Sequence, residues 1–118
     1  MSVVIPEVLL ALAMVTSPPQ TTLDCGALDR RGNDEGTRIP GHLAIHRVIG
    51  EGRLPFHSGP DPRCAIPGVF IIPNDEVIAY VEYGGYTFVM YLKKGGGDAS
   101  GWVATERLRG TGTGISPE

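Results

Sequence analysis

His57, Ser58, Asp61 and Cys64 bring a base, a hydroxyl, an acid and a thiol into one short stretch. Nucleophilic catalysis uses those types when a free thiol or hydroxyl sits beside an imidazole that an acid orients. Here the stretch is rich in proline, and no helix terminus stands by to depress a thiol pKa. Cys64 also has an obvious partner in Cys25. The expectation is therefore no catalytic residue. His42 and His46, an even number of positions apart, would share one face of a strand. Two histidines without a third ligand at useful spacing make a poor metal site. Asp61 and the Asp75-Glu76 pair fall in turns, where acids serve backbone geometry rather than paired acid–base chemistry. Lys93-Lys94-Gly95-Gly96-Gly97 lacks the spacing of a phosphate loop and leads into a strand, so a solubilising hairpin loop is expected there. Neither a metal nor a cofactor is expected.

The aromatic residues are more informative. Tyr80, Tyr83, Tyr86, Phe88, Tyr91 and Trp102 cluster in the second half of the chain. Cross-strand aromatic pairs stabilise small sheets, so most of these rings belong to a core or a lid. Alternation cannot bury both faces of so small a sheet, however, and some of Tyr80, Tyr83, Tyr86 and Phe88 must stay exposed. Tyrosines at a partly wet surface beside His57, Asp61 and Arg63 have the composition of an interface centre. These seven residues form the candidate binding surface.

The elements that must position them follow from composition and pattern. The chain has 118 residues, with seventeen Gly and ten Pro, which favours many turns and short strands over helices. A folded unit of roughly 60–70 residues buries one modest core with little stability to spare. The net charge of −3, with acids and bases interspersed, leaves no basic face for nucleic acid. No apolar run reaches the roughly 18 residues of a spanning helix. Cys25 and Cys64 lack the close spacing of metal ligands. In an exported protein they would form one disulfide, closing a loop whose chain entropy stabilises by about 4 kcal/mol. In a cytosolic protein they would be two buried thiols.

Residues 1–17 contain an apolar run, Val3 to Val15, that reads either as a signal-like segment with Ala11-Leu12-Ala13 at its cleavage site or as a short helix starting near Pro6. Residues 18–40 show neither strand nor helix period and read as a polar linker with Cys25 as an anchor. From residue 41 to 108 the pattern is that of strands. His42 to Ile49, Arg53 to Ser58, Val69 to Ile72, Glu76 to Tyr83, Tyr86 to Leu92 and Gly101 to Ala104 are the candidates. Gly84-Gly85 supplies a tight hairpin between two of them. Thr105 to Leu108 reads as a helical turn capped by Thr105, and residues 109–118 as a disordered tail. Five to six short strands in a small antiparallel barrel would make an all-β fold, with closure removing the exposed edges.

Several of these residues form a pattern. Arg53-Leu54-Pro55-Phe56-His57-Ser58-Gly59-Pro60, the turn Asn74-Asp75-Glu76-Val77, the pair Gly84-Gly85 before Tyr86 and Val89, and Gly101-Trp102-Val103 with Leu108 fall in order. Together they resemble the landmarks of bacterial Src-homology-3-like domains, where His57 stands in place of a usual arginine and Tyr86 in place of a usual tryptophan. The resemblance implies a small β-barrel that binds cell-wall peptides or targets its carrier, with contacts from loops and from aromatics near the glycine pair. A second resemblance, of layout only, is to small periplasmic inhibitor or immunity proteins. The expected function is thus a non-enzymatic, periplasmic or secreted binding module. Its expected partner is a protein, such as a cell-wall-targeting effector or hydrolase, and the alternative is peptidoglycan peptide.

Overall fold

The computed structural model describes residues 22–117. The signal-like or helical reading of residues 1–17, and the start of the linker, lie outside the described residues. Asp24 opens α1 (Cys25–Glu35): its Oδ1 accepts from the Ala27 N–H at 3.0 Å, a cap that contributes about 1 kcal/mol. Eight strands follow, β1 (Thr37–Arg38), β2 (Ile45–Val48), β3 (Leu54–His57), β4 (Ala65–Ile71), β5 (Glu76–Tyr83), β6 (Tyr86–Leu92), β7 (Asp98–Ala104) and β8 (Leu108–Gly110). They make a single antiparallel sheet in the order β4-β3-β7-β6-β5-β2-β8, with β1 paired to β5, and the sheet curls into a half-barrel. The all-β expectation holds. The strand count is higher than five or six, and β4 and β8 end the order rather than closing it.

Period-2 alternation puts one face of each strand inside. Val77 and Ala79 on β5, Val89 on β6 and Val103 on β7 meet Val48, Leu54, Phe56 and Ile71 in the core. Val81 is buried as the alternation requires, after a register shift between Ala79 and Val81. Gly84 and Gly85 take φ of 60° and 86°, the two positive values a tight hairpin needs, and Tyr83 faces Tyr86 across it. Asn74, at φ 79°, turns the chain into β5, with Asp75 Oδ2 accepting from the Ile72 N–H at 3.0 Å.

Three sequence readings need correction. Residues 25–35 are helix, not linker. The face that α1 turns to the sheet carries Cys25, Asp29 and Gly32, so an apolar period never appears. A disulfide, a hydrogen bond to an indole and a glycine laid flat against a ring do that work instead. The C-terminal residues up to Pro117 are not a disordered tail. They continue past β8 along β2, with Thr111 N–H donating to Ile45 O, Ile45 N–H to Thr113 O and Ile115 N–H to Gly41 O at 3.0, 3.1 and 2.9 Å. Gly114 lies so close to Gly41 and His42 that a Cβ would collide with the Gly41 carbonyl oxygen. The helical turn is present at Thr105–Arg107, but Ala104 occupies its cap position and Thr105 Oγ1 instead meets Thr87 Oγ1 at 2.8 Å.

Candidate functional site

His57 ends β3 between two neighbours, Ala65 on β4 and Trp102 on β7. It is 7% exposed, and its Nδ1 donates to the Trp102 carbonyl at 3.1 Å. Because a carbonyl oxygen can only accept, that bond places a proton on Nδ1. The Tyr86 ring stands edge-on to the imidazole, 5.0 Å between centroids. Burial pushes the Tyr86 phenol above its usual range, and the charge of Asp61 adds to the effect. Phenol, imidazole and carboxylate thus share one corner of the sheet.

Asp61 is positioned by its own turn. It caps the short helical turn Pro62–Cys64, accepting from the Arg63 N–H at 2.8 Å. Both its oxygens also accept from the Arg63 guanidinium, each at 2.9 Å. The Arg63 side chain and backbone hydrogen bonds hold the Asp61 carboxyl down at about 2, with the charges of Arg63 and His57 assisting. Asp61 in turn holds the Arg63 guanidinium above its ordinary value. The turn is fastened at its far end. Cys64 is bonded to Cys25 of α1, Ser58 N–H donates to Cys64 O at 2.9 Å, and Gly59 approaches so closely that a Cβ would lie 2.6 Å from Cys25 O. Only glycine fits there.

The bonding consumes the thiol that the set His57, Ser58, Asp61 and Cys64 would use, and the Ser58 hydroxyl is directed to the Cys64 carbonyl at 3.4 Å. His42 does not share a strand face with His46. It sits in a helical turn before β2, while His46 Nδ1 donates to Ala44 O at 3.2 Å. Among the described residues, no group of three or more His, Cys, Asp or Glu stands close enough to hold a metal ion. Lys93 to Gly97 form the hairpin loop expected, closed by Lys93 N–H donating to Gly97 O.

The seven candidate surface residues divide into three groups. His57, Asp61, Arg63 and Tyr86 come together at the pinned corner. Tyr80 and Phe88 form a half-buried row, 6.3 Å between rings, that leads from Phe88 to Trp102 at 5.5 Å. Trp102 itself is 0% exposed because α1 covers it. Its Nε1 donates to Asp29 Oδ1 at 2.8 Å, and a Cβ on Gly32 would stand 2.6 Å from its ring. Tyr83 is tied to the end of α1, its hydroxyl donating to Glu35 Oε1 at 3.3 Å. Tyr91 packs against the core.

Sequence reasoning missed a cleft of about 310 Å³ beside the pinned corner. The cap residue Asp24 with Ala27, Leu28 and Arg31 of α1 forms one wall, and Asp61 and Arg63 the other. The signal was available as residues at i, i+3, i+4 and i+7, but only to a reader who already had a helix there. Compared with known proteins, the chain matches no family model, no curated protein and no solved structure.

Proposed function

We propose that this chain is an exported, non-enzymatic binding module of the bacterial Src-homology-3-like kind, working as an inhibitor or immunity-type protein that blocks a cell-wall-directed effector or hydrolase. The observation that carries the reading is the pinned corner: Tyr86 of β6 and His57 of β3 stand beside the Asp61–Arg63 pair, which lies on a turn locked by a disulfide. Rigid aromatic and arginine anchors on a preorganised loop lose little entropy on binding, which is what a plug for another protein's cleft requires. The disulfide agrees with an oxidising compartment. Among the described residues no helix is long and apolar enough to cross a membrane. The barrel family is supported by the run of strands β8-β2-β5-β6-β7, which the motif landmarks punctuate at the turn into β5, the β5–β6 hairpin and β7.

A second reading, a peptidoglycan-binding module, is favoured by the row of half-buried Tyr80 and Phe88, which offers ring faces to a cell-wall peptide. One paired assay separates the two. Purified chain is added to cell-wall hydrolases to measure inhibition, and to purified sacculi to measure co-sedimentation. Stoichiometric inhibition weakened at least tenfold by Tyr86→Ala supports the inhibitor. Co-sedimentation lost in Tyr80→Ala, without inhibition, transfers the function to the second reading. Absence of both inhibition and co-sedimentation would contradict both readings.

A further inference from the structure

Helix α1 has two working faces. Cys25, Asp29 and Gly32 dock it onto the sheet through the disulfide, the Trp102 indole and the flat contact with its ring. Asp24, Ala27, Leu28 and Arg31, spaced i, i+3, i+4 and i+7, line the neighbouring cleft with their apolar pair in the middle and a charge at each end. At about 310 Å³ the cleft sits at the small end of the range for ligand pockets. The opposite wall is neutral in effect, because Asp61 and Arg63 satisfy each other with two guanidinium hydrogen bonds. The charges left for a ligand are those of the helix. Arg31 has no ion-pair partner among the described residues. Asp24 uses Oδ1 on the Ala27 N–H, supplying the anion that a helix N-terminus favours, and its Oδ2 accepts no hydrogen bond among the described residues.

We propose that this cleft binds a short zwitterionic peptide with an aliphatic middle residue, its ammonium at Asp24 and its carboxylate at Arg31. Seven residues of α-helix advance roughly 10 Å, and an extended chain of about three residues spans the same distance. Ala27 and Leu28 then receive the middle side chain. The guanidinium offers the carboxylate two parallel donors. The site is separate from the Tyr86 face, sharing only Asp61 and Arg63 at its rim, and does not depend on the reading given to that face. The disulfide makes it a built cleft, since Cys25 and Cys64 join its two walls.

The test is a titration of the full oxidised chain with the tripeptide Ala-Leu-Ala, followed through backbone amide chemical shifts. The control is the same peptide acetylated and amidated at its ends. The free peptide should shift the amides of Ala27, Leu28, Arg31 and Arg63. Blocking both ends should weaken binding by about tenfold, because each exposed ion pair accounts for roughly threefold to fivefold. Arg31→Gln and Asp24→Asn should each remove one of those factors, and asparagine keeps the helix cap so that the fold survives. Equal binding of free and blocked peptide, shifts confined to another part of the sheet, or no shifts with either peptide would overturn the proposal. Hydrolase inhibition and sacculus sedimentation are scored in separate assays, so the Tyr86 face and this cleft can fail independently.

Discussion

The two ends of the β5–β6 hairpin's sheet are held by different means. At the Tyr86 end, a disulfide joins α1 to the Asp61–Cys64 turn, an indole–carboxylate hydrogen bond joins α1 to β7, and a buried histidine on a backbone carbonyl ties β3 to β7. At the Leu92 end, backbone hydrogen bonds close the Lys93–Gly97 loop and lay the C-terminal segment along β2. There Leu92 and Ile115 remain 60% and 56% exposed beside Ile78 and Met90. One end is specified by a disulfide and side-chain hydrogen bonds at buried rings, the other chiefly by backbone hydrogen bonds, with exposed side-chain contacts such as Arg47–Glu76 and Thr111 Oγ1 to Ile45 O. The comparison says where single substitutions should matter.

The largest effect is expected from the disulfide. Replacing Cys25 and Cys64 together by Ala should cost about 4 kcal/mol in denaturant unfolding, since the closed loop no longer restricts the unfolded chain. The next largest is at the helix–indole contact. Gly→Ala inside a helix ordinarily stabilises by roughly 0.5–1 kcal/mol. At Gly32 the added methyl would meet a ring that cannot yield, and Gly32→Ala should destabilise by about 1–2 kcal/mol net. A stabilised Gly32→Ala protein would mean that α1 does not dock on Trp102. Asp29→Ala, which orphans the buried indole N–H, should cost about 1–2 kcal/mol and change the emission of the sole tryptophan.

The pH response sharpens the same contrast. Asp61 has its folded pKa depressed from 3.8 to about 2, so its stabilising contribution is complete above the unfolded value and is lost as the pH falls from about 4 to about 2. Asp61→Asn should flatten that limb of the stability profile measured by denaturant midpoint. At the opposite end, Lys94→Ala should move stability by less than about 0.5 kcal/mol at any pH. A Lys94 effect as large as that of Gly32 would erase the distinction between the ends.

Much of the sheet was legible in the sequence because its rules are local. Alternation in Glu76 to Tyr83, the Gly84-Gly85 pair and Asn74-Asp75 each follow from period or from φ, and the structure places each where those rules imply. Helix α1 was not legible. Its docked face carries Cys25, Asp29 and Gly32, and what makes that face bind the sheet is a tryptophan far along the chain. The C-terminal segment was misread for a related reason. Gly-Thr-Gly-Thr-Gly looks like low complexity, yet its threonines bond to each other and to Ile45, and Gly114 permits a close backbone approach to Gly41. The candidate surface was half legible. His57, Asp61, Arg63 and Tyr86 do converge, but Trp102 and Tyr83 are engaged by a helix that the pattern did not announce.

The most direct measurement compares Tyr86→Ala with Met90→Ala, one residue from each end of β6, for inhibition of a hydrolase that the wild type blocks. The account predicts that the Tyr86 variant loses at least tenfold in potency while the Met90 variant matches the wild type. Loss of potency on the Met90 side, with Tyr86→Ala unaffected, would place recognition on the loosely held end and contradict it.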